Sequence, residues 1–154
     1  MEYAFYPMTQ EIAEEIAYQW HYDTEYSFYD MEADQEDLQE FVNPVIRGNS
    51  YFMVIQNNET IGFYCFHQIT EKTIDMGLGM KPDLTGNGSG VEFLEAGMAF
   101  LKSRFLPEKV TLSVATFNKR AIKVYKKIGF EENGTFIQAT NGGNYEFLKM
   151  IYHC

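Results

Sequence analysis

Two periods of apolar residues run along the chain and separate it into helices and strands. Ile12, Ile16 and Trp20, with Ala13 and Ala17 beside them, recur at helical steps and give one apolar face through about Tyr22. Thr9 stands where an N-cap belongs. A second helix is expected over residues 34–47 around Leu38, Phe41, Val42, Val45 and Ile46, with Pro44 disturbing its last turn. Val91, Leu94, Met98, Leu101 and Phe105 mark a third helix, and Ala121, Val124, Tyr125 and Ile128 the inner face of a fourth over residues 118–128. Shorter runs at residues 2–6, 51–56, 60–69, 72–80, 109–115, 135–139 and 145–152 read as strands. Asn57-Asn58-Glu59 and Asn141-Gly142-Gly143-Asn144 supply hairpin turns. The expected order is β-α-α-β-β-β-α-β-α-β-β, an α/β (α+β) arrangement. With no repeat or linker, residues 1–154 are expected to form one domain.

One stretch escapes both periods. Residues 21–31, HYDTEYSFYDM, crowd aromatics among acids. Such a segment packs as a surface loop, or it lines a pocket for an amine, where aromatic faces and carboxylates both favour a cation. Glu25, Tyr26, Tyr29 and Asp30 are the acceptor-binding candidates from this stretch.

Composition narrows the classes. Hydrophobic residues at 45% and aromatics at 16% exclude a disordered chain. No apolar run approaches a membrane span, and the first residues lack the basic start of a signal peptide, so a cytoplasmic protein without membrane partners is expected. Cys65 and Cys154 are far apart and His21, His67 and His153 are scattered, which points to free thiols and no metal. Charge is unevenly spread. Residues 1–46 hold 12 Asp and Glu and no Lys or Arg, whereas residues 47–154 hold 10 acids and all 12 bases. The net charge of −10 argues against nucleic acid. The asymmetry suits a two-ended site, with an anionic cofactor held by the later part and a cationic acceptor attracted by the earlier part.

The anionic end has a candidate. A strand over residues 74–80 leads into TGNGSG at 85–90 and then into the third helix. Strand, glycine-rich turn and helix in that order leave backbone N–H groups at the positive end of a helix. The turn lacks the Gly-Lys-Ser/Thr ending of a nucleotide phosphate loop. Its glycines, Gly86, Gly88 and Gly90, also miss the spacing of a dinucleotide fingerprint.

MKP followed by LTGNGSG and an apolar helix resembles the acetyl-CoA-binding motif of the GNAT superfamily of N-acetyltransferases. That motif grips pyrophosphate with Gln or Arg, two residues, Gly, one residue, then Gly or Ala. Gly88 and Gly90 fill the later positions, and Thr85 replaces the first. A second stretch, SVATFNKRAIKVYKKIGF at residues 113–130, resembles the family's second motif in the expected order. The resemblance covers nearly the whole chain. It implies the GNAT fold, a mixed, mostly antiparallel sheet of about seven strands flanked by about four helices, in which two strands splay apart to expose backbone to the coenzyme arm.

The resemblance also implies roles. Acetyl-CoA or CoA would be held by the backbone of Thr85, Gly86, Asn87, Gly88, Ser89 and Gly90 and by Leu78, Gly79 and Met80, with Asn118 contacting the coenzyme. Read from the residues, Lys119, Arg120, Lys123, Lys126 and Lys127 form either a solvated helix face or, beside a phosphate cradle, a set of which one or two reach coenzyme phosphates. Tyr125 matches the family's acid, and Asp75, on the strand before the cradle, stands where some members keep a carboxylate base. The implied activity is direct acetyl transfer to a primary amine of a small molecule or peptide, since no cysteine lies in either motif. A CoA-binding sensor without turnover is the alternative. An exposed last strand offers an edge for a homodimer.

Overall fold

The structure is a computed structural model that describes residues 2–85 and 88–154. β1 (Ala4–Pro7) leads into α1 (Gln10–Gln19), whose N-cap Thr9 accepts the Ile12 N–H at 3.2 Å. A ten-residue helix is marginal alone. Burial of Ile16 and Trp20, each stabilising by about 1.5–3 kcal/mol, holds α1 against the sheet. The aperiodic stretch folds as two 3-10 turns, Thr24–Tyr29 and Met31–Ala33. The helix expected over residues 34–47 divides into α2 (Gln35–Phe41) and α3 (Pro44–Arg47). Pro44 cannot donate inside a helix but suits its first turn, and Asn43 caps that new start by accepting from Val45 and Ile46. Arg47 is buried and ties the pair to α1, donating to the Phe41 carbonyl and to Gln10 Oε1 at 2.7 Å each.

β2 (Tyr51–Gln56), β3 (Glu59–Thr70) and β4 (Thr73–Met80) form a meander. Asn57 and Asn58 both take positive φ at its first turn, as a two-residue hairpin connection requires. α4 (Gly90–Phe105), β5 (Lys109–Ala115) and α5 (Lys119–Ile128) follow, then the hairpin of β6 (Glu131–Thr140) and β7 (Gly143–His153). The seven strands make one sheet in the order β1-β2-β3-β4-β5-β7-β6, antiparallel except where β4 meets β5. The last strand is therefore not an edge: β7 lies between β5 and β6, and β6 carries the exposed margin.

Both faces of the sheet's first half are covered, which is why β3 reads as a continuous apolar run instead of an alternation. Tyr64 and Phe66 point toward α4, packing with Phe93, Leu94, Met98 and Leu101. Phe63 points the other way, into a cluster with Ala13, Ile16, Ala17, Trp20, Leu38 and Phe41. β4 and β5 pair only at Thr73↔Lys109, Ile74↔Val110 and Asp75↔Thr111. Beyond Asp75 they diverge, and the resulting cleft positions everything that follows.

Candidate active site

A cavity of about 480 Å³ fills the divergence. One wall is residues 76–80 of β4, which on this edge have no strand partner, and the opposite wall is Leu112, Ser113 and Val114 of β5. α4 and α5 close one side through Leu94, Val124 and Tyr125. The end of α1, the loop after it and the first 3-10 turn roof the other through Trp20, Tyr22, Tyr26 and Tyr29. The phenol of Tyr22 donates to the Met80 carbonyl at 2.6 Å, so a side chain holds the end of β4 where a neighbouring strand is missing. Burial pushes the Tyr22 phenol well above its ordinary pKa, which keeps that donor protonated.

The sequence-predicted residues converge here in large part. Leu78, Gly79, Met80, Thr85, Gly88, Gly90, Asn118 and Tyr125 all line the cavity. Gly88 has φ +87° and open space where a Cβ would lie, the conformation and clearance a backbone cradle for an anion needs. Gly86 and Asn87 fall outside the described residues, and Ser89 precedes α4 as its N-cap. The Thr85 hydroxyl is committed to the Pro82 carbonyl at 2.7 Å and serves to close the turn. Arg120, from the basic set on α5, lines the same cavity as Thr85, with its guanidinium 4.2 Å from the centre of the Tyr26 ring. Lys119, Lys123, Lys126 and Lys127 do not line the cavity.

Asn118 has two uses. Its Oδ1 caps α5 at the Ala121 N–H (3.2 Å), and its Nδ2 donates to the Tyr29 phenol at 3.1 Å, linking α5 to the roof. Tyr125 packs its ring on Phe130 and shows its remaining surface to the cavity. Burial pushes its phenol well up, so it stays protonated and able to donate.

Asp75 lies elsewhere. It sits at the closed end of the cleft, accepts the Thr111 hydroxyl at 2.7 Å and does not line the cavity. Glu25 and Asp30 are also absent from the lining, in contrast to Tyr26 and Tyr29. Trp20, which the helical spacing marks only as part of the apolar face of α1, and Tyr22, in the loop after α1 where no spacing holds, are cavity residues that the sequence pattern did not assign to the site. Cys65 is buried outside the cavity and its thiol is pushed up to about 12, which removes it as a nucleophile.

The chain matches the acetyltransferase (GNAT) domain over residues 4–131. It is similar to the mycothiol acetyltransferases of Saccharomonospora viridis, 42% identical over 65 residues, and Streptomyces coelicolor, 31% identical over 87. These stretches cover 42% and 55% of this chain but 21% and 28% of the relatives, so the chain spans about a quarter of their length. Among solved structures it is similar to a GNAT-family acetyltransferase from Bacillus anthracis, with TM-score 0.76 and 18% identity over 99% of this chain and 95% of that one. It is also similar to spermidine N-acetyltransferase from Vibrio cholerae in complex with CoA and spermine, with TM-score 0.75 and 18% identity over 98% and 95%. At such identities the two structures speak for the fold. The splayed strands, the glycine turn, the placement of Asn118 and Tyr125 and the match over residues 4–131 together make the chain a member of the GNAT acetyltransferase family.

Proposed function

We propose that the protein is an acetyl-CoA-dependent N-acetyltransferase that transfers directly to a primary amine within a ternary complex. The observation that carries this is the cleft between β4 and β5, which opens one strand edge, the Gly88 turn and the Tyr125 phenol into a single cavity. The residues fit the coenzyme. Residues 76–80 offer backbone on a free edge, Leu94 and Val124 offer apolar walls for a flexible arm, and the turn before α4 offers N–H groups for phosphate. Acetyl-CoA would supply an activated acetyl thioester. Tyr125 holds a proton at Oη for the departing sulfur, and the backbone of Leu78, Gly79 and Met80 positions the carbonyl. The acceptor ammonium sheds its proton to water, helped by desolvation against apolar walls, which lowers an amine's pKa.

This reading gives Asp75 a structural role in closing the cleft at Thr111. Asn at position 75 still accepts that hydroxyl, so Asp75→Asn is expected to leave turnover within about threefold of wild type in steady-state assays. A larger loss would restore Asp75 as the base. Arg120 is the cation that replaces the side chain missing at Thr85. Arg120→Ala should weaken CoA binding by about tenfold and leave pantetheine, which lacks the phosphates, unaffected in calorimetric titrations. Equal losses for both ligands would remove Arg120 from phosphate recognition.

The function itself is tested by titrating the protein with acetyl-CoA and CoA in a calorimeter and screening amines for thiol release. Binding with release identifies the enzyme. Binding without release from a broad panel selects the CoA sensor, and absence of binding overturns the assignment of the cleft.

A further inference from the structure

The walls of the cavity narrow the acceptor, given the coenzyme reading above. The acids of the first third look like a magnet for cations, but the fold turns them away. Asp30 accepts the Tyr22 N–H at 2.8 Å through one oxygen and meets His21 Nδ1 at 3.1 Å through the other. Glu32 faces the same histidine at 3.7 Å. Asp34 caps α2 at the Asp37 N–H and holds the Thr140 hydroxyl and the Asn141 N–H, clasping the roof to the β6–β7 turn. These carboxylates organise the roof from outside.

What the roof shows the cavity is Trp20, Tyr22, Tyr26, Tyr29 and Met31, with Phe63 behind them. Among the described residues no carboxylate lines this cavity, and the ionised side chain on its wall is Arg120, itself a cation. A buried ammonium without a carboxylate partner is unfavourable. Aromatic faces stabilise a cation only modestly, which suits one ammonium about to lose its proton and does not suit a second. A neighbouring cavity of about 470 Å³ does hold Asp23 and Asp83, but Arg120 also lines it, so a polycation reaching from one to the other would pass the guanidinium.

We propose that the acceptor is a small primary monoamine on an aromatic body, seated against Trp20, Tyr22, Tyr26 and Tyr29, and that polyamines are poor ligands of this cavity. The size agrees, since about 480 Å³ must hold both the coenzyme arm and the acceptor.

The test is calorimetric titration of the CoA-saturated protein with phenethylamine, tryptamine and spermidine, followed by initial rates with acetyl-CoA. The aromatic monoamines are expected to bind at least about tenfold tighter than spermidine, with kcat/KM in the same order. Met31→Glu, which adds a carboxylate to the wall, should shift the preference toward spermidine by about tenfold. Spermidine binding as tightly as either monoamine in the wild type, or no monoamine binding at millimolar concentration, overturns the proposal. Loss of the coenzyme reading would show separately, as no heat with CoA alone. The same amine titrations on the free protein would still give the order of preference.

Discussion

Tyr125→Phe is expected to lower turnover by about a hundredfold while the affinity for acetyl-CoA stays within about twofold. The substitution keeps the ring that packs on Phe130 and removes only the hydroxyl of this cavity-lining residue. Phe at this position therefore preserves the fold of α5 and the shape of the wall. On the mechanism proposed above, what disappears is the proton donor for the departing sulfur. General acid catalysis by a positioned side chain contributes about 10²–10⁴-fold, and the lower figure fits a thiolate, which leaves readily by itself. Burial holds the Tyr125 phenol above its ordinary value of 10.0. The wild-type rate should accordingly show no loss from tyrosine ionisation through the mildly alkaline range. Steady-state kcat and a calorimetric Kd on the same preparation decide the matter. An unchanged kcat would make Tyr125 a packing residue.

A single methyl group at Gly97 is expected to lower the melting temperature by about 4–12 °C. Gly97 lies within α4, where alanine is the better helix former by about 1 kcal/mol, so local propensity predicts the opposite sign. Tertiary packing outweighs it. A Cβ at this position would fall 2.1 Å from Tyr64 Cζ and 2.3 Å from its Oη. Tyr64 has nowhere to go: it is fully buried, stacks at 4.9 Å on Phe93 and 5.5 Å on Phe66, and donates its hydroxyl to the Phe93 carbonyl at 2.8 Å. Overpacking a core of this kind costs about 1–3 kcal/mol. Displacing the hydroxyl from its acceptor adds a further penalty of about 1–3 kcal/mol. The net loss for Gly97→Ala is about 2–3 kcal/mol, measured by thermal or urea unfolding. In a Tyr64→Leu background the added cost should fall below about 1 kcal/mol, because the clash partner has gone. A single variant melting within about 2 °C of wild type would show that α4 does not depend on this approach.

The helices and strands were legible because their signals are local. Apolar residues at steps of three and four fix an inner face for α1, α4 and α5, and runs of apolar residues fix β2 to β5. The glycine turn and Asn118 were legible for the same reason, since a cap or cradle is built from neighbours in sequence. Pro44 shows where a local signal misleads. The apolar spacing continues across it, so the pattern reads as one helix, yet the missing N–H and the ring end α2 and begin α3.

By itself, then, the sequence determined the main helices and strands, the place of the glycine turn ahead of α4 and the position of Tyr125 on an inner face. Only the tertiary structure decided which groups meet. The cleft exists because β4–β5 pairing stops at Asp75↔Thr111, a register between strands 36 positions apart that no local period encodes. Tyr22 reaches Met80 across 58 positions, and Asn118 reaches Tyr29 across 89. The same long-range closure turned Asp30 away from the cavity and Tyr26 and Tyr29 into it, although all three come from one stretch of mixed character. Periodicity assigns a face only where the backbone repeats. In two 3-10 turns without a repeat, each side chain's direction is set by the hydrogen bonds and packing it finds on distant elements.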